Sequence, residues 1–539
     1  MDSAFTDSEK DSVSANLNCL LKLRRARVNL HRLLGSKRSQ LICLMHGPGG
    51  SGKSTVINLV NAYAREYCEL LGHAFTERTI IICAMSGVAA TLLHGETAHS
   101  AIGLNRDEKG LKKLKGAWKD ARLVVIDECS FCSAGDFTKI FHYLQILKDD
   151  RFKAFGGLNM VYAGDFSQLE PVGRNAVYKE DDCPEFFAQL NTFIELDGRH
   201  RFRDDPVWGE RLFRFREGNP TKEDIDVINK NCLVSSTNVP PPDIQVACPT
   251  NKERDAVNSA LFEEYCKLHA PTDGSVFMGA ILLLMDDLQM TDSNGKYVGV
   301  TSNSVKVHFW SNCGENDAKV ETGKAKPRID PVLKLYPNCP LMLTENKDVS
   351  NGQANGSRVF LKKVHVRSGI RPMLVKMKNG AVVRAYKASE VRCIELEHEL
   401  EDIEPRKFQM ESKNFSFNWY TVLDEAKTKL KMKGEQFPVI SNSATTGHKL
   451  QGYTASSLLV NSWSYKENWA YVVLSRVRTM AGLYLLKPLS DLLEKFEMPK
   501  AMKDMIKGFR ENIALVDLSQ EDYDEMIQFE NSISNNTTV

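Results

Sequence analysis

Gly47-Pro48-Gly49-Gly50-Ser51-Gly52-Lys53-Ser54-Thr55, directly after the apolar run Leu41-Ile42-Cys43-Leu44-Met45, fills every position of the pattern G-x-x-x-x-G-K-[ST]. A buried strand that delivers the chain to a glycine-rich turn lets backbone N–H groups converge on phosphate oxygens, because glycine tolerates the backbone angles required. Lys53 then neutralises the terminal phosphates and Ser54 offers its hydroxyl to Mg²⁺. The helix opened by Val56, Ile57, Leu59 and Val60 aims its positive end at the same charge. The stretch implies binding of a nucleoside triphosphate, with Gly47, Gly49, Gly50, Ser51, Gly52, Lys53, Ser54 and Thr55 as the contact set.

Working outward, further strand-like runs recur between amphipathic stretches: Thr79 to Ala84, Leu123 to Ile126, Met160 to Ala163 and Ile244 to Ala247. That alternation predicts a mostly parallel sheet covered by helices. Open sheets of this kind place ligands at the carboxyl ends of their strands, so the motifs that follow the first four runs are expected around one crevice.

Leu123-Val-Val-Ile126 ends in Asp127-Glu128. A strand holds such a pair rigidly, so that Asp127 can hold Mg²⁺, directly or through water, while Glu128 can take a proton from an attacking water. Gly164-Asp165-Phe-Ser-Gln168-Leu-Glu-Pro171 follows the next run and offers Gln168, an amide that can touch a terminal phosphate without repelling it. Arg201, in Leu196-Asp-Gly-Arg-His-Arg201-Phe, and Arg476, in Tyr471-Val-Val-Leu-Ser475-Arg476, are candidate cations for that phosphate.

The 539 residues, 42% hydrophobic and 26% charged, suit two to four globular domains. No apolar run reaches the roughly 18 residues that cross a bilayer, Ala280 to Met285 being strand-sized, so no membrane role is expected. The acidic start, with Asp2, Asp7, Glu9 and Asp11, argues against a secretory signal or a mitochondrial transit peptide. The thirteen cysteines read as thiols of an intracellular protein, many of them small core residues like Cys43 and Cys83. Cys129-Ser-Phe-Cys132 has no second pair, so no zinc site is expected. Net charge is +1, so a basic surface must be local. Lys22 to Arg38 holds seven basic residues and no acidic one, and Glu395 to Glu404 holds six carboxylates.

After Pro249 the sequence becomes loop-rich, with turn signals at Asn294-Gly295, Asn351-Gly352 and Asn355-Gly356. Val359 to Arg392 alternates apolar and polar residues around Asn379-Gly380, which predicts a small antiparallel β unit inserted in the chain. The sheet-and-helix pattern resumes at Phe437, and the closing stretch has the composition of a disordered tail.

Taken in order, Gly-Ser-Gly-Lys53-Ser54, Ser86-Gly-Val-Ala-Ala90, Gly95-Glu-Thr97-Ala-His99-Ser100, Ile-Asp127-Glu128, Gly164-Asp-Phe-Ser-Gln168-Leu, His200-Arg201-Phe-Arg-Asp-Asp, Thr446-Gly-His448-Lys449-Leu-Gln451-Gly-Tyr-Thr454 and Leu-Ser475-Arg476 resemble superfamily 1 helicases. Within them the series is similar to the Pif and RecD branch, as is Asn355-Gly-Ser-Arg358 after Pro340-Leu-Met-Leu343. The resemblance implies an ATP- and Mg²⁺-dependent motor that runs 5′ to 3′ on single-stranded DNA and opens tailed or forked duplexes. The pathway expected is repair, recombination or telomere maintenance. The fold it implies is α/β, with two RecA-like parallel-sheet P-loop NTPase domains and a small SH3-like β insertion in the second.

The expected organisation is an N-terminal extension at 1–36, a first RecA-like domain at 37–195, and a second in two parts at 196–358 and 436–500. The insertion and an acidic linker fall at 359–435, and a tail at 501–539. On this pattern Arg201 and Arg476 both come from the second domain. Thr97, His99 and Ser100 meet the DNA backbone, and His448, Lys449, Gln451 and Thr454 lie in the segment that couples DNA contact to ATP. The setting implied is intracellular, a nucleus in a eukaryote or else a mitochondrion, with a monomer presumed. Trp463, Tyr465 and Trp469, with Lys466 among them, are either base-stacking faces or core residues.

Two features depart from the branch. No glutamine upstream of the phosphate loop matches the one that reads adenine, Gln40 being too near the loop. The segment Ile102 to Arg122, where the branch places a strand-separating wedge, is short and lysine-rich. An RNA helicase or nucleic-acid-stimulated translocase with the same engine stays open, since DNA and RNA differ by contacts to the 2′-hydroxyl that no motif displays. A nucleotide-gated single-strand binder is the third reading, against which Glu128, Arg201 and Arg476 speak.

Overall fold

Six parallel strands, in the order β3-β2-β4-β5-β1-β6, set the frame of the phosphate-loop unit: β1 (Ile42–His46), β2 (Ile80–Ala84), β3 (Glu96–Thr97), β4 (Leu123–Asp127), β5 (Asn159–Gly164) and β6 (Thr192–Glu195). They belong to a computed structural model that describes residues 40–70, 74–171, 173, 175–179, 183–291, 329–400, 403–420, 429–466 and 468–512. The N-terminal extension, the basic run Lys22 to Arg38 and the Asn294-Gly295 turn lie outside the described residues.

Apolar, β-branched runs bury both faces of this sheet, as parallel strands require; Leu44, Val124 and Ile126 are all fully buried. The helix Ala134–Lys148 that links β4 to β5 begins with a reciprocal capping box between Ser133 and Asp136. It ends at Asp149, in the left-handed region with φ 57°. Lys148 Nζ then donates to the carbonyls of Trp118, Lys119 and Ala121. That anchor folds the lysine-rich segment onto the domain as two short turns, Glu108–Lys112 and Lys115–Trp118, with no strand between Ile102 and Arg122.

The chain divides into two compact units. Among the described residues, the first comprises those of 40–85, 92–219 and 496–512, and the second those of 86–91 and 220–495. Two expected boundaries therefore move. Residues 196–219 group with the first unit, because β6 is hydrogen-bonded beside β1 and the chain leaving it stays with that strand's carboxyl end. Within 501–539, the residues up to Asn512 are not a tail but most of a helix, Lys500–Asn512. Met502, Met505, Ile506 and Phe509 recur on one face of it and join the first unit's core.

The second unit has its own parallel sheet, in which Ala444–Thr446, β7 (Gln245–Cys248), Leu458–Val460 and Leu483–Leu485 lie side by side. The architecture is thus the expected α/β one, with a parallel sheet in each unit. The antiparallel region is wider than the alternation around Asn379-Gly380 indicates. Met373–Lys376 and Val382–Lys387 form that hairpin, but they share a sheet with Val276–Leu284 and Val332–Leu335. A second sheet joins Pro340–Leu343, Arg358–Val366, Val391–His398, Lys407–Met410 and Val439–Ser441. Strands from both sides of 359–435 thus complete the β region, through pairings distant in sequence. Gly352, Gly356 and Gly380, the second residues of the three described Asn-Gly turns, have φ of 74°, 97° and 90°, the left-handed backbone those turns need.

Candidate active site

Strand order places the chemistry. β5 lies between β1 and β4, so the segment after β5 emerges between the phosphate loop after β1 and the carboxylates after β4. Gly47 N–H donates to Gly164 O at 3.1 Å, and Met85 N–H donates to Asp127 O at 3.0 Å, which ties the strand ends together. Gly50 and Gly52 have φ of 83° and 95°, which an L side chain adopts only under strain.

Lys53 Nζ donates to Gly47 O at 2.7 Å and to Pro48 O at 3.0 Å, so the cation is folded back over its own loop. Ser54 is exposed at the start of the Lys53–Leu70 helix, while Ser51 is buried with no hydrogen-bond partner for Oγ among the described residues. Asp127 is 5% exposed. Burial raises its carboxyl above the usual range, against the opposing field of Lys53. Its Oδ1 is buried without a hydrogen-bond partner among the described residues, an oxygen that a hard cation or that cation's water would satisfy. Glu128, next along, takes a left-handed backbone with φ 53°, a costly conformation for a non-glycine residue. The chain thereby turns out of β4 into the Cys129–Phe131 turn.

Gln168 is buried, and its Nε2 donates to Asp165 Oδ2 at 3.4 Å. Asp165 is itself gripped by Arg216, whose Nη2 donates to Oδ1 at 3.0 Å. Burial would raise the Asp165 carboxyl, but Arg216 foremost among the nearby cations outweighs it and holds the group at about 2. Arg216 escapes a motif-based reading because it lies 51 residues from its partner, on the Pro206–Arg216 helix. His46, the last residue of β1, accepts the Phe166 N–H on Nε2 at 3.2 Å. Burial foremost pushes its pKa down, against the neighbouring carboxylates, and its Nδ1 faces Glu195 Oε1 at 3.8 Å.

Arg201 is in the first unit, not the second as expected. The chain from β6 passes over the phosphate loop, so that a Cβ added to Gly50 would lie 2.5 Å from Arg201 Cβ and 3.3 Å from its Nε. Arg476 is in the second unit and 1% exposed. Its guanidinium donates to Val472 O, Leu450 O, Tyr453 O and Ser475 Oγ, which holds together the loop that follows Gly447–Leu450.

Among the expected DNA-contacting residues, Thr97 is buried and its Oγ1 accepts the Ser100 N–H at 3.3 Å, so it caps the short Ala98–Ala101 helix. Ser100 is exposed, with Oγ 3.3 Å from Glu96 Oε2, and His99 is half-buried. In the second unit Lys449 is exposed and donates to Asn355 Oδ1 at 3.0 Å. Gln451 is buried, while His448 and Thr454 are half-buried. Arg358 meets Glu399 and Tyr453 OH, a pairing that joins the antiparallel region to the His448 segment. Trp469 is core, packed on Gly447, whereas Trp463 and Tyr465 are half-buried and bonded to Lys487 O and Ser490 N. Gln40 donates to Ala154 O and Leu158 O at the start of β1, the end of the strand away from the phosphate loop.

Residues 32–186 match the family model for PIF1-like helicases. The chain is 26% identical to the ATP-dependent DNA helicase Pif1 of Bdellovibrio bacteriovorus, over 82% of this chain and 83% of that one. It is 23% identical to the ATP-dependent DNA helicase PIF1 of Candida albicans over 82% of its own length, yet spans about half, 52%, of that relative. Its fold is similar to that of a Bacteroides Pif1 helicase solved in complex with ADP-AlF3 and single-stranded DNA. The TM-score is 0.58 at 18% identity, covering 90% of this chain and 97% of that one.

Proposed function

We propose, from the chain's kinship with Pif1-type superfamily 1 helicases, that it is an ATP-dependent DNA helicase: it hydrolyses ATP to move 5′ to 3′ on single-stranded DNA and to separate tailed or forked duplexes. The observation that carries the reading is the convergence of phosphate loop, carboxylate pair and amide at the carboxyl ends of β1, β4 and β5. The strand between the first two sets carries the amide, so its carboxyl end lies between the phosphate loop and the carboxylates.

In this mechanism the triphosphate draws Lys53 Nζ off the Gly47 and Pro48 carbonyls, trading two neutral acceptors for charged ones. Ser54 and Asp127 would hold Mg²⁺, which when bound neutralises phosphate charge. The buried Oδ1 of Asp127 supports the fit. Glu128 takes the proton of the attacking water. Asp165, an acceptor only, orients the Gln168 amide by taking its Nε2 hydrogen bond, and Gln168 is the residue that meets the terminal phosphate. Arg201 adds a cation at the loop, and Arg476 keeps the role in hydrolysis that the resemblance gives it. His99, Ser100, His448 and Lys449 are the proposed DNA contacts. Repair, recombination or telomere upkeep in an intracellular compartment follows as a proposal from the same kinship.

The test is ATP hydrolysis with and without single-stranded DNA, together with unwinding of 5′-tailed DNA, 3′-tailed DNA and RNA, using Lys53→Ala as the inactive control. DNA-stimulated hydrolysis with 5′-tailed unwinding is the expected result. Hydrolysis indifferent to DNA refutes the helicase reading, and unwinding of the 3′-tailed substrate alone refutes the direction.

A further inference from the structure

The Lys500–Asn512 helix reaches the phosphate sensor by two routes. Phe509, 4% exposed, sets its ring 5.7 Å from that of Phe193 on β6 and 6.5 Å from that of Phe166, two residues before Gln168. Its neighbour Arg510 forms a two-pronged pair with Glu195, Nε to Oε2 at 2.9 Å and Nη2 to Oε1 at 2.6 Å. Such a fork fixes direction as well as distance.

Glu195 is the last residue of β6, and the next N–H, that of Leu196, donates to His46 O at 2.7 Å. Oε1 of Glu195 also faces His46 Nδ1. The imidazole is stacked between Phe166 and Phe193, with centroids 6.2 and 6.1 Å away, and its other nitrogen takes the Phe166 N–H. Asp165 Oδ1 lies 3.6 Å from the same nitrogen, and Asp165 Oδ2 holds the Gln168 amide. A run of neighbours thus leads from Arg510 through Glu195, His46 and Asp165 to Gln168, hydrogen-bonded at its ends and closed in the middle by approaches of 3.8 and 3.6 Å around a stacked imidazole, and every member lies in the first unit. His46 also immediately precedes Gly47, so the run touches the first residue of the phosphate loop.

We propose that Arg510 and Phe509 are positioning residues for ATP hydrolysis, making the Lys500–Asn512 helix the brace that holds the Gln168 segment against β1 and β6. The proposal rests on the reading of Gln168 as the residue that meets the terminal phosphate. A brace of this kind alters the placement of the amide and leaves the phosphate loop able to bind nucleotide. A displacement of about 1 Å at a reacting group lowers rate by up to about 100-fold.

Arg510→Gln and Glu195→Gln are the variants of choice, since both keep hydrogen-bonding capacity and leave the Phe509 face packed; Phe509→Leu is a milder second probe of the apolar route. In the full chain, each glutamine variant is expected to lower kcat for ATP about 10- to 100-fold while ADP affinity and the ATP KM change less than about threefold. In a Gln168→Ala background, Arg510→Gln is expected to lower kcat no further. Equal losses from Arg510→Gln in the wild-type and Gln168→Ala backgrounds overturn the proposal, as does a parallel loss of ADP affinity and kcat. An unchanged kcat in Gln168→Ala itself overturns the sensor reading and the brace with it. An impaired Gln168→Ala beside a fully active Arg510→Gln removes the brace and leaves the sensor standing.

Discussion

Replacing Arg216 by methionine exposes how the sensor segment is held. The guanidinium is 2% exposed and its partner Asp165 fully buried, so the substitution strands an anion in the interior. Breaking a buried ion pair from one side costs about 3–5 kcal/mol. Protonation can relieve that cost. A carboxyl with an unfolded-state pKa of about 3.9 takes up a proton more easily by about 1.4 kcal/mol per pH unit on acidification. In the unaltered protein Asp165 is held at about 2, so its contribution is fully present above about pH 4 and is lost only as the pH falls towards 2. The wild type therefore keeps this term at pH 5, whereas the Arg216→Met defect shrinks by about 1.5–3.5 kcal/mol between pH 8 and pH 5, to the roughly 1.5 kcal/mol that protonating a carboxyl costs there. At about 2–4 °C per kcal/mol for a unit of this size, Tm drops by roughly 6–20 °C at pH 8 and by only a few degrees at pH 5. Thermal unfolding of the full chain at both pH values measures this, with Asp165→Asn/Arg216→Met as the charge-free comparison that recovers most of the loss. An equal Tm drop at both pH values, or a double variant as unstable as the single one, refutes the account.

Glu128→Gln should retain nucleotide affinity and lose about 10²- to 10⁴-fold in hydrolysis rate, measured by single-turnover kinetics; an active variant would relieve Glu128 of its role. Gly50→Ala meets both a φ of 83° and Arg201 Cβ at 2.5 Å, so ATP affinity should fall by about tenfold or more in a binding titration, and unchanged affinity would show that Arg201 moves aside freely. Gln40→Ala should leave the ATP-to-GTP preference untouched, because its amide is spent on Ala154 O and Leu158 O; a shifted preference would reopen it as the adenine reader.

What could be read in the sequence is what is local. The phosphate loop, the Asp127-Glu128 strand end and the Gly164–Gln168 turn each carry their chemistry within a few consecutive residues, and the sheet brings them together in the order the runs imply. The supports of the site were not legible, because they pair across 51 residues for Arg216 with Asp165 and 315 for Arg510 with Glu195. The placement of Arg201 failed for a related reason: strand order, not chain order, decides that β6 lies beside β1. The Lys500–Asn512 helix did leave a trace, since Met502, Met505, Ile506 and Phe509 recur at helical spacing within a segment whose polar neighbours read as tail.

The unit that carries the phosphate loop is assembled from chain on both sides of residues 220–495, its core closed by Met502, Ile506 and Phe509. As the polypeptide leaves the ribosome, the first sheet therefore waits on the order of tens of seconds with the pocket for Phe509 uncovered. Phe166, Phe186 and Phe193 line that pocket, and they are also the aromatic floor beneath the sensor turn. Nascent chains halted before residue 509 would then leave that apolar pocket uncovered, and the Gln168 turn without the ring that packs against Phe166 and Phe193.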